Sequence, residues 1–199
     1  MYFGKLCVEA GLPPGVVNVV PGIGSMTGKA LAEHLKVDKI AFTGSTNTGR
    51  QIMRSAATNL KNITLECGGK SPLLVFEDAD LEEAVKWAHS GIMDNSGQVC
   101  TSTSRIYVHE KVYKDFVQRL AEFTKDNTIV GGAFDKDVSH GPQVSRVQYD
   151  RVLSYIDQGK KSGVHIQLGG NQIQRDGYFI EPTIFTDVRS PRIQEGLVC

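Results

Sequence analysis

The sequence has no closely spaced pair of cysteines. Its four, Cys7, Cys67, Cys100 and Cys199, are scattered along 199 residues, with no C-x-x-C and no histidine at ligand spacing. That excludes a zinc finger and a disulfide framework, and it predicts a reduced, cytoplasmic protein with no structural metal. Net charge is lacking too: 22 Lys and Arg balance 22 Asp and Glu, and no basic block occurs. A nucleic-acid or anionic-membrane partner is therefore not predicted. No apolar run approaches the ~20 residues that span a bilayer, and the opening "MYFGKLCVEAGLPPG" has no secretory apolar region. Repeats, low-complexity tracts and Pro/Ser linkers are absent as well.

What is present alternates strand and helix. "GVVNVV" predicts a buried strand, "PGIGSMTG" a tight turn and "SMTGKALAEHL" a helix. "DKIAF", "TGST", "NTGRQIMRSAATNL" and "NITLE" then predict strand, turn, helix and strand. Such alternation means βαβ units and a parallel sheet. Further on come "SPLLVF" (strand), "DADLEEAVKWAHSGIMDN" (amphipathic helix, with Asp80 and Glu83 in capping-box spacing), "SRIYVHE" (strand) and "KVYKDFVQRLAEFTK" (helix). A Gly/Asp-rich loop, the helix "SRVQYDRVLSYIDQGKKSG" and the strand "HIQLGG" follow. The fold class is α/β, and the paired glycines of "ECGGKSP" mark the best candidate boundary. The first residues read as the last turns of a helix stopped at Gly11 and Pro13. The end lays down strand-like residues and stops, so the chain is expected to be a piece of something longer.

Four stretches could carry chemistry, and each has a structural alternative. Gly22, Gly24 and Gly28 lie between strand and helix, where glycines let the backbone approach a pyrophosphate. A plain turn is the alternative, since the spacing is one residue off the dinucleotide fingerprint and Asp38 begins the next strand rather than ending it. "AFTGSTNTGR" repeats the geometry, with Gly44 at the turn and Ser45 as N-cap; an ordinary capped helix would look the same. Glu66 ends a strand, on the side where parallel sheets open their ligand crevice, although solvated strand-end glutamates are common. Cys67 beside it is expected to be a small packing residue.

Cys100 sits in "NSGQVCTSTSR", polar on both sides and without Lys, Arg or His within four residues. A free thiol titrates at about 8.5, so only about 3% is thiolate at pH 7. Activation must come from backbone dipoles, a cofactor's positive ring or a remote base. A Cys–His hydrolase is an alternative on paper, but His34, His89, His109, His140 and His165 all read as exposed helix or loop. The acidic cluster Glu77, Asp78, Asp80, Glu82 and Glu83 is a helix start favoured by the macrodipole.

Together these stretches resemble the aldehyde dehydrogenase family. "ITLECGGKSP" is similar to its glutamate signature, L-E-L-G-G-K-[SN]-P, and "NSGQVCTSTSR" to its cysteine signature, N-x-G-Q-x-C-x-[AS]-x-[ST]-R. The interval from Glu66 to Cys100 agrees with the family's. "VDKIAFTGSTNTGR", "PGIGSMTG" and "GYFIEPTIF" resemble further family stretches, and the likeness runs to Glu195. The resemblance implies residues 1–67 as the C-terminal part of a Rossmann-like NAD(P)-binding domain, and 68–199 as the N-terminal part of an α/β catalytic domain. It implies Cys100 as the nucleophile that adds to an aldehyde carbonyl, hydride passing to NAD+ (or NADP+) to leave a thioester. Glu66 would be the general base that activates water to release the acid. Gly24, Gly28, Phe42, Gly44 and Ser45 would line the dinucleotide, with Gln148 near the nicotinamide ribose.

Departures count as well. The family is far longer. Absent upstream are the Lys and Glu that hold the adenosine ribose and the Asn that completes the oxyanion hole. Downstream, "RIQE" runs into "GLVC" where the family continues toward a ribose-binding glutamate, which reads as a misspliced, frameshifted or truncated frame. The parent enzyme is expected to be a homo-oligomer whose interface strands are missing here. The alternative is a non-catalytic isoform that binds a full-length subunit or does not fold alone.

Overall fold

The computed structural model describes residues 1–188. It divides the chain into two compact units, Met1 to Gly68 and Gly69 onward; "GLVC" lies outside the described residues.

The first unit opens with α1, Tyr2–Glu9, which ends before Gly11 at φ +76°. A single π-turn, Gly24–Gly28, leads into α2, Lys29–Glu33. Strand β1, Lys39–Gly44, is followed by α3, Thr46–Ala56, and β2, Asn62–Cys67. The two strands pair in parallel, with Ile40 opposite Ile63 and Phe42 opposite Leu65. Alternate residues of both strands are half-buried and the rest exposed, the period of a sheet covered on one face. Gly49 lets α3 lie close to β2, since a Cβ there would come to 3.2 Å from Cys67 Sγ and 3.4 Å from Leu65 Cδ1.

The strand expected at 15–20 is not formed. Val16, Val17, Val19 and Val20 are exposed, and no described strand pairs with them. A ladder needs a neighbour to exchange N–H and C=O bonds, and apolar composition alone cannot supply one.

In the second unit, β3 (Pro72–Val75), α4 (Leu81–Met93) and β4 (Arg105–Val108) form a βαβ unit with parallel strands. Helix α5, Glu110–Asn127, packs against α4. Val75, Val85, Ala88, Phe116 and Leu120 form its core. Val75 comes from β3 and the other four recur at helical spacing on α4 and α5, and each large side chain buried there contributes roughly 1.5–3 kcal/mol. Asp80 caps α4 by accepting Glu82 and Glu83 N–H at 3.0 and 3.2 Å. The reciprocal half of the expected box is missing because Glu83 instead pairs with Lys86 at 3.0 Å.

Helix α6, Arg146–Lys161, and the antiparallel strands β5, His165–Leu168, and β6, Ile184–Thr186, complete the unit. Here Val152, Ile156 and Ile180 form a second core, and Phe185 packs where Gly159 leaves room. No helix among the described residues is long and apolar enough to cross a membrane.

Candidate active site

At the carboxyl edge of the β1–β2 pair, the chain turns from Phe42 through Gly44 into Ser45. The parallel register sets Thr43 opposite Glu66 and Gly44 opposite Cys67, so Glu66 reaches the same edge as this turn. Parallel sheets bind ligands at this edge. The Phe42 ring lies over Gly44, where a Cβ would stand 2.6 Å from Cζ. Ser45 accepts Thr48 N–H at 3.2 Å and so forms the expected cap of α3. Glu66 is exposed, and so is Cys67, contrary to the packing role expected for it. As the last residue of β2, Cys67 keeps only its sulfur close to α3, at Gly49.

In the turn before α2, Ile23 C=O accepts Met26 and Thr27 N–H at 2.9 and 2.8 Å. A Cβ on Gly22 would overlap the Thr27 side chain, so packing explains that glycine. Gly24 and Gly28 differ, because a Cβ on either would meet nothing within 4 Å. Their bareness leaves the backbone open to a ligand, as pyrophosphate approach requires.

In the second unit, Asn95 (φ 51°), Ser96 (φ 57°) and Gly97 (φ 72°) form a left-handed run just before the cysteine. Gly and Asn adopt this conformation readily, whereas for Ser it costs about 1–2 kcal/mol. Such strain persists where neighbouring bonds hold it, and it gathers at functional sites. The bonds here come largely from the segment leading into α6. Ser96 Oγ donates to Gly141 C=O at 2.9 Å, and Gln143 Nε2 donates to Ser96 C=O at 3.2 Å. Val144 N–H donates to Gln98 Oε1 at 2.8 Å.

Cys100 then stands exposed in a turn closed by Ser102 N–H to Val99 C=O at 3.1 Å. Ser102 Oγ donates to Gly97 C=O at 3.2 Å, and Thr103 N–H to Gly91 C=O at 2.9 Å. Among the described residues, nothing accepts from the Cys100 or Thr101 amide. Exposed, uncommitted amides beside a thiol are the donors an oxyanion needs. Gln148 is half-buried in the first turn of α6, its N–H bound by the cap Ser145 at 3.3 Å. The strip that holds Gln98 therefore runs directly into the helix that carries Gln148.

Arg105, the nearest cation in sequence, donates Nε–H to Lys70 C=O at 2.9 Å. No imidazole among the described residues hydrogen-bonds Cys100. His140 is not exposed as expected but 6% accessible, because its loop folds back and forms a parallel bridge with Val130. Burial pushes its pKa down, against a bond to the Met93 backbone that raises it. His89 is half-buried against Thr128 Oγ1 at 2.8 Å. No group of three or more His, Cys, Asp or Glu among the described residues could hold a metal ion.

The sequence singles out neither Ser96 nor Gln143, and marks Asn95 and Gln98 only as letters of the cysteine signature. "NSG" marks a turn-prone triplet, but nothing local identifies Gln143 as the partner of a residue 47 positions away.

The model of the aldehyde dehydrogenase family matches residues 1–193. The chain belongs to that family. It is 56% identical to an aldehyde dehydrogenase of Alternaria alternata, over 98% of this chain and 40% of that protein. It is 51% identical to the aldehyde dehydrogenase [NAD(P)+] 2 of Saccharomyces cerevisiae, over 94% of this chain and 38% of that one. Among solved structures, the NAD+ complex of the Bacillus cereus aldehyde dehydrogenase superposes with a TM-score of 0.92 at 48% identity, over 98% of this chain and 40% of that one. The α/β architecture is thus the family's, and the chain spans about 40% of the length of the relatives it matches.

Proposed function

We propose that this chain carries the nucleophile, the general base and part of the dinucleotide site of an NAD+-dependent oxidation of an aldehyde to a carboxylic acid, NADP+ being the alternative cofactor. The observation that carries this reading is Cys100 itself: an exposed thiol after a strained left-handed run, beside amides that bind nothing among the described residues.

Gly24, Gly28, Phe42, Gly44, Ser45 and Gln148 would hold the dinucleotide; the open space over Gly24 and Gly28 suits a close backbone approach. When bound, NAD+ supplies the two-electron acceptor. The Cys100 sulfur forms a bond to the carbonyl carbon while the loop amides take the developing oxyanion. The addition gives a thiohemiacetal, which would become a thioester once its carbon-bound hydride is lost to that acceptor. Glu66 would then take a proton from the water that attacks the thioester, which frees the acid and returns the thiol. On this reading residues 1–67 would belong to the cofactor-binding domain, which also lends Glu66 to the chemistry, and 68–199 to the catalytic domain, which lends Gln148 to the cofactor.

The test grafts residues 1–193 into the Alternaria alternata relative in place of the matched stretch, and follows aldehyde-dependent NADH formation. Cys100→Ala is expected to abolish turnover, and Glu66→Gln to slow it by about 10²–10⁴-fold with acylated enzyme accumulating. Turnover that survives Cys100→Ala would sink the assignment.

A second reading, a non-catalytic chain that binds a full-length subunit, is favoured by the exposed valines at 16–20. Co-elution of the 199-residue chain with the full-length relative, without NADH formation of its own, would select it.

A further inference from the structure

Between the end of α4 and helix α6, the second unit holds a cavity of about 30 Å³, lined by Met93, His140, Gln143, Tyr155, Glu181, Thr183 and the second core. Two of its polar lining residues, His140 at 6% and Gln143 at 4% exposure, are almost wholly buried. Each carries a buried atom that no group among the described residues satisfies, Nδ1 of His140 and Oε1 of Gln143. Their other ends indicate their chemistry. Nδ1 of His140 has no partner, and the neutral tautomer that keeps its proton on Nε2 leaves the ring free to donate toward the Met93 backbone. In the neutral ring Nδ1 is then an acceptor. Gln143 uses its amide nitrogen on Ser96 C=O at 3.2 Å, so its oxygen is an acceptor as well. Two acceptors cannot satisfy one another. A molecule with two donors can satisfy both, and a cavity this size admits a water.

We propose that this cavity is a binding site for one ordered water, which donates to His140 Nδ1 and Gln143 Oε1. Gln143 is thereby a positioning residue. The water fixes which way its amide faces, the amide nitrogen holds Ser96 C=O, and Ser96 is the middle of the left-handed run that presents Cys100. The water site stands without the proposed activity; only its consequence for a nucleophile rests on that reading.

The experiment counts long-lived internal waters in the full chain by magnetic relaxation dispersion of ¹⁷O, comparing wild type with His140→Phe and Gln143→Met. One long-lived water fewer in each variant is expected, and equal counts would overturn the site. Amide exchange in Gln143→Met tests positioning. Gln98 and Ser102 are expected to exchange about tenfold faster, with the α5 amides unchanged. Faster exchange in α5 as well would mean that Gln143 only stabilises the unit, and unchanged loop exchange would mean that it positions nothing; either would overturn the positioning role. A nuclear Overhauser contact between water and the His140 ring in wild type decides the site even where a variant fails to fold, its absence counting against it.

Discussion

Asn95 and Ser96 hold a backbone conformation that costs most L-residues about 1–2 kcal/mol. Asn tolerates it because its short amide bonds locally, and here Asn95 Nδ2 donates to Gln98 C=O at 3.1 Å. Asn95→Ala removes both the tolerance and the bond, and is expected to destabilise the second unit by about 1–2 kcal/mol in urea unfolding. Asn95→Gly loses the bond but keeps the conformational freedom, so it is expected to cost less than half as much. Equal stability of the two variants would show that the run is not held left-handed in solution. At this scale the sequence was informative about chemistry and silent about support. Cys100, Glu66 and Ser45 stand out from their immediate neighbours. The groups that hold Cys100 lie more than forty residues away, and no local pattern encodes that they meet.

Elements were legible wherever local signals and tertiary partners agree. Helix α4 shows this: apolar spacing, an acidic first turn and Asp80 at the cap all point to one start. Asp80 satisfies two N–H groups that the helix leaves unpaired. Asp80→Ala is expected to cost about 1 kcal/mol, and Asp80→Asn to stay near wild type, by thermal or urea unfolding. Near-equality of Ala and wild type would mean that the cap contributes nothing. Residues 15–20 show the opposite case. Four valines in six residues read as a strand, yet pairing is a property of two segments, and none among the described residues supplies the second. The Gly/Asp-rich stretch before α6 was legible only as a loop. That it buries His140 follows from a bridge between Val130 and His140, which composition does not announce.

At the scale of the molecule, stability is tied to pH through two histidines of the second unit. Burial lowers the pKa of His89, only partly offset by the Asp94 charge. Burial likewise lowers that of His140, opposed by the Met93 carbonyl and reinforced by His89. Tyr155 and Glu181 line the same cavity as His140. In the unfolded chain both rings titrate at about 6.5. Above that value both states are neutral and the two histidines add no pH dependence. Below it the unfolded chain takes up protons that the folded unit resists, so acidification favours unfolding. The exposed pairs Asp115–Arg119 and Arg146–Asp150 are solvent-screened and contribute little to the slope. The melting temperature of the second unit is therefore expected to hold between pH 8 and pH 7 and to fall progressively from pH 6.5 to pH 5. His140→Phe is expected to flatten that fall whatever it does to stability at pH 8. A wild-type slope unchanged by the substitution would place the acid sensitivity elsewhere, while a flattened one would show that the buried His140 imidazole is kept neutral by the fold.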